Sequence, residues 1–117
     1  MSKLTKNFDS KEFACKCCGE EVFLIFHVLK LQTLRDYFKK KVTITSGYRC
    51  EQHNKKVGGV EYSQHPLGTA TDIEVKGVKP DSVAEYAENH FDGVGRYDTF
   101  THLDSRGYKA RWDNTTK

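Results

Sequence analysis

The stretch Gly68 to Val75, GTATDIEV, constrains the chain more than any other. Its side chains alternate, with Ala70, Asp72 and Glu74 on one face and Thr71, Ile73 and Val75 on the other. A period of two marks a strand whose two faces meet different surroundings. The apolar face must meet a core, which leaves the face with two carboxylates for polar contacts or chemistry. A second run, KVTITSGYR from Lys41 to Arg49, has β-branched residues at Val42, Thr43, Ile44 and Thr45 and predicts a strand ending at Ser46 and Gly47. Arg49 then sits just past a strand end.

Helical periodicity supplies the other layer. Between Glu21 and Lys40, Leu24, Val28, Leu31, Leu34 and Phe38 fall within about 120° of a helical wheel, so one face packs on a core. Pro80 to Phe91 predicts a second helix, with Pro80 in its first turn and Val83, Ala87 and Phe91 on one stripe. CEQHNKKVGG, from Cys50 to Gly59, reads as a short helix or turn stopped by Gly58 and Gly59. GRYDTFTHLDSRGYKARW, from Gly95 to Trp112, reads as strand, turn and strand, with Phe100, His102 and Asp104 sharing a face. These elements predict an α+β fold, a small antiparallel sheet with helices packed on one side. A length of 117 residues suits a single domain over 1–117, which buries roughly two thirds of its unfolded surface.

Composition narrows the class. A hydrophobic share of 37% is modest, but 12% aromatic residues argue against disorder. Met1 to Ser10 is polar and the first apolar run, Val22 to Phe26, is too short to span a bilayer. The expectation is therefore a chain without a signal peptide, cytoplasmic on synthesis and with no membrane partner. The formal charge of +3 comes from basic residues that are scattered apart from Lys39, Lys40 and Lys41. No nucleic-acid partner is expected from such a pattern, and a monomer is. Cys15, Cys17, Cys18 and Cys50 lack the spread spacing of a secreted disulfide framework, which predicts reduced thiols.

Three residues could carry chemistry together. His65 and Asp72 lie seven positions apart around Pro66, Gly68 and small residues that let the chain fold back, and His102 lies on a strand that could neighbour Asp72. A catalytic zinc ion usually takes three such ligands and keeps a fourth position for water. By spacing alone the case stays open, because an H-x6-D pair is common and lone histidines are more often surface or hydrogen-bonded core residues. CKCCG offers Cys15 and Cys18 at C-x-x-C spacing, but a second pair is missing, and only Cys50 remains, with His27 or His53 as distant company. That pattern favours reduced, partly buried thiols over a full zinc site, with Cys50, next to Arg49, able to meet the amino-terminal segment and tie it to the cleft. His27, inside the apolar arc of the main helix, is expected to be packed and hydrogen-bonded.

SGYR at Ser46 to Arg49, HN at His53 and Asn54, VGG at Val57 to Gly59, SQHPLGTATDI at Ser63 to Ile73 and FTHLD at Phe100 to Asp104 follow one another in order. Together they resemble the zinc D-Ala-D-Ala carboxypeptidase family, which includes phage endolysins and murein endopeptidases and shares its fold with the hedgehog signalling domain. The resemblance implies zinc held by His65, Asp72 and His102, with Arg49 and Ser63 in the substrate cleft. It also implies a zinc-dependent peptidase acting on the stem peptides of bacterial peptidoglycan, and release by a phage holin would suit a chain lacking an export signal. Arg49 could hold a substrate carboxylate or steady an oxyanion, or form a structural ion pair. Many members carry the catalytic carboxylate three residues before the last zinc histidine, where this chain has Thr99. Asp104 is the favoured replacement as general base and Asp98 the other, while Asp104 could equally support a metal ligand from behind or cap a turn. The alternative function is a zinc-containing binding module without catalysis.

Overall fold

The computed structural model describes residues 3–50 and 68–116. Helix α1 spans Ile25–Phe38, and its apolar stripe is buried at Val28, Leu31 and Leu34 as the periodicity predicts. It stops where Lys39 takes a left-handed conformation at φ 56° and donates its backbone N–H to the carbonyl of Arg35. Strand β1 spans Val42–Ser46 and β2 Ala70–Val75, close to the limits read from the sequence. Helix α2 spans Pro80–Ala87, with Pro80 at its start, where the missing N–H costs nothing. Three strands complete the chain: β3 at Gly93–Arg96, β4 at Thr101–Asp104 and β5 at Ala110–Asp113.

The five strands lie in the order β1-β2-β4-β3-β5. Every neighbouring pair is antiparallel except β3 with β5, which run parallel, so the sheet is mixed where the sequence predicted an antiparallel one. The reason is topological. Both β3 and β5 run opposite to β4, and β5 is laid beyond β3, so the two that touch share a direction. The sequence also predicted two strands after the second helix where there are three. Strand β3 hides because Gly93 and Gly95 flank a single Val94 and leave no alternation to read.

Register divides the sheet into two faces. Thr71 pairs with Leu103 and Ile73 with Thr101 on one face, while Ala70 pairs with Asp104 and Asp72 with His102 on the other. The first face meets both helices in one apolar cluster containing Val28, Leu31, Leu34, Ile73, Val83, Ala84, Ala87, Val94 and Leu103. Burying a side chain such as Leu31, Leu34 or Leu103 contributes roughly 1.5–3 kcal/mol. Polar groups on this face are satisfied: His27, 1% exposed, has Nδ1 2.9 Å from Ser105 Oγ and Nε2 3.0 Å from Thr71 Oγ1. The Thr101 hydroxyl donates to the carbonyl of Pro80.

The amino-terminal segment is anchored separately. Asp9 caps a 3-10 turn at Ser10–Phe13 through a reciprocal pair of bonds, Lys11 N–H to its carboxylate and its own N–H to Glu12. Phe8 and Phe13 enter the same apolar cluster. Tyr48 N–H then donates to the carbonyl of Phe13, and a Cβ on Gly47 would lie 2.8 Å from Phe13 Cα, so only glycine lets the two backbones approach this closely. The exit of β1, with Arg49, is therefore docked on the segment that carries Cys15 and Cys18.

Candidate active site

The face of the sheet turned away from the helices carries the chemistry. Asp72 on β2 and His102 on β4 are direct register partners, so the ladder of backbone hydrogen bonds sets their side chains opposite one another. His102 Nδ1 lies 3.0 Å from Asp72 Oδ1, and each residue is 7% exposed. The other ring nitrogen, Nε2, donates to Asp104 Oδ2 over 2.8 Å. Both partners are carboxylates, which ionised can only accept, so a proton on either ring nitrogen finds an acceptor. Burial alone would lower the pKa of His102, but the hydrogen bonds to Asp104 and Asp72 raise it above its ordinary value.

Asp104 has no exposed surface and lies on the far side of the ring from Asp72. Arg106 closes on it in a fork, Nε to Oδ1 at 2.9 Å and Nη2 to Oδ2 at 2.7 Å. Burial pushes this carboxyl up, yet His102 and Arg106 outweigh it and hold the group well below the usual carboxylate range. The sequence favoured Asp104 as general base and offered a supporting carboxylate as the alternative; in the structure it contacts His102 at Nε2, the nitrogen facing away from Asp72. Asp98, the other candidate, is exposed, accepts from the backbone N–H and the hydroxyl of Thr116, and shares a surface groove with Lys79, Pro80 and Asp81.

Arg49 reaches the pair from the exit of β1. Its Nη2 lies 3.2 Å from Asp72 Oδ2 and its Nε donates to Ser46 Oγ at 3.0 Å. The sequence offered Arg49 as a cleft residue or as an ion-pair partner, and the structure gives it an ion pair with Asp72 itself. His65 and Ser63 lie outside the described residues, so the described part of the predicted zinc trio is Asp72 with His102.

Two groups that sequence reasoning missed finish the wall. Trp112 on β5 tilts over the His102 ring at 4.9 Å between centroids and donates its indole N–H to the Tyr97 hydroxyl at 2.9 Å. It can do so because its strand partner is Gly95, where a Cβ would lie 2.4 Å from the indole. Likewise a Cβ on Gly93 would come within 2.1 Å of the Asp104 carboxylate. The guanidinium of Arg106 lies 5.3 Å from the Trp112 ring. No local pattern announces Trp112, because its position depends on the parallel pairing of β5 with β3.

The donors fit a small, tetrahedrally held dication. Bonds of about 2.0–2.1 Å place tetrahedral donors roughly 3.3 Å apart, close to the Nδ1 to Oδ1 distance of 3.0 Å. The carboxylate behind His102 is the arrangement that fixes a histidine ligand in one tautomer, since Nε2 keeps its proton and Nδ1 is left to coordinate. A family model described as Peptidase M15 matches residues 6–104, a span that includes Arg49, Asp72, His102 and Asp104. No curated protein matches the chain.

Proposed function

Because the chain belongs to the Peptidase M15 family, we propose that it is a zinc-dependent peptidase that hydrolyses peptide bonds in the stem peptides of bacterial peptidoglycan. The observation that carries the reading is the placement of Asp72 and His102 as facing partners on the polar side of the sheet, with His65 supplying the third ligand. Zinc bound there would polarise the scissile carbonyl and make water nucleophilic near neutral pH.

The chain's own residues do the rest. Asp104 holds the Nε2 proton of His102 and so keeps Nδ1 directed at Asp72. We assign Asp104 this positioning role in place of the general-base role favoured from the sequence, because a carboxylate without exposed surface and forked by Arg106 has no path to water on the Nδ1 side. Arg49, permanently charged and paired with Asp72, is the cleft cation of this reading, the residue type suited to a substrate carboxylate or a developing oxyanion. Ser63 is assigned as a substrate contact on the family resemblance of its motif. The enzyme acts as a monomer on the cell wall, and release by a phage holin would bring it there.

Thr99, exposed at the position where the family resemblance implies a carboxylate in many members, favours one competing reading, a zinc-holding module that binds wall peptides without cutting them. Incubating zinc-loaded protein with purified sacculi of several wall chemotypes, followed by mass spectrometry of the soluble products, separates the two. Stem fragments that appear only without chelator establish the peptidase, and their masses name the bond. Zinc-loaded protein that sediments with sacculi and yields no fragments establishes the binding module.

A further inference from the structure

A second cluster lies where the amino-terminal segment meets the exit of β1. The sulfurs of Cys15, Cys18 and Cys50 all lie within 4.8 Å of one another. We propose that these three cysteines bind a second zinc ion, distinct from the one at Asp72 and His102, which clamps the amino-terminal segment onto the strand exit that carries Arg49.

Several features build the site. Ala14 and Glu21 pair as an isolated bridge, and Gly19, at φ +76°, turns the chain between them so that its N–H reaches the carbonyl of Cys15 at 2.8 Å. The turn brings Cys15 and Cys18 to one side. Cys50 arrives from the other element, and its backbone N–H donates to Cys15 Sγ at 3.4 Å. The separation of Cys15 Sγ and Cys50 Sγ is 3.7 Å. Four sulfurs at about 2.3 Å from a tetrahedral zinc lie roughly 3.8 Å from their neighbours, so the two thiols stand at the spacing of a coordination edge. Soft thiolates select zinc over the hard cations. Three corners are thereby supplied, and the fourth is left to another donor.

Cys17 is the internal contrast, an exposed neighbour in the same turn that stands outside the cluster.

Cobalt(II) titration of the reduced protein tests the assignment independently of peptidase activity, because thiolate coordination gives an intense near-ultraviolet charge-transfer band. The wild type should bind two equivalents and show the band, and Asp72→Asn should bind one and keep it. Cys18→Ser, at an exposed position that leaves the core intact, should lose one equivalent and the band, and so should Cys50→Ser. Cys17→Ser should retain both. Absence of the band from wild-type protein with four titratable thiols would overturn the proposal, as would its survival in Cys18→Ser. A Cys15–Cys50 disulfide, detected by mass in protein purified under reductant, would overturn it too.

Discussion

Asp104 joins His102 to Arg106 through buried charge-assisted bonds, so its replacement has two separable effects. Asp104→Asn should lower zinc affinity at the Asp72 and His102 centre by about 10–100-fold, since the ring loses the partner that fixes its tautomer. It should also destabilise the fold by on the order of 3 kcal/mol, because Arg106 keeps a largely buried charge without its counter-ion. Competition with a chelating dye reads the first effect and denaturant unfolding the second. Unchanged zinc affinity would remove the positioning role. His102 gives a pH prediction. Its folded-state pKa lies above the ordinary value, so protonation stabilises the metal-free fold; that contribution is complete below the unfolded value and lost as pH rises through the folded one. Chelated protein should therefore melt at a higher temperature near about pH 6 than near about pH 9, and His102→Gln should flatten that difference. An equal slope in the variant would place the dependence elsewhere.

Among the elements, β3 bears the tightest constraint because its site-facing positions have no room for a side chain. Gly95→Ala would drive a methyl into the Trp112 indole and should cost about 1–3 kcal/mol, read as a lowered melting temperature. Gly93→Ala meets the Asp104 carboxylate instead and should weaken metal binding as well as stability. A Gly93→Ala protein with wild-type metal affinity would contradict the geometry. The same strand shows why part of the fold was not legible. Helices α1 and α2 and strand β2 announce themselves by periods of 3.6 or 2 within a short window, and strand β1 by its run of β-branched residues. Strand β3 offers one valine between two glycines, and its glycines are explained only by Asp104 and Trp112, which are distant in sequence. The Asp72 and His102 partnership was legible because both fall on recognisable strands. The side of the ring on which Asp104 lies was not, since spacing of two along a strand fixes a shared face and leaves open which nitrogen is met.

Across the whole molecule the sheet gathers groups from three strands and the β1 exit around one imidazole, and the chain's single tryptophan lies against it. Zinc titration followed by tryptophan fluorescence should therefore show a saturable change with wild-type protein and none at the same concentrations with Asp72→Asn; a matching signal from the variant would place the ion elsewhere. The partnership of Asp72 with His102 has a further consequence. The two donors are thirty residues apart and meet only through the β2–β4 ladder, so an unfolding chain forfeits its hold on the ion in the same event that separates the strands. Release of zinc into a colorimetric chelator would then serve as a gauge of folding, counting native molecules without any label on the protein.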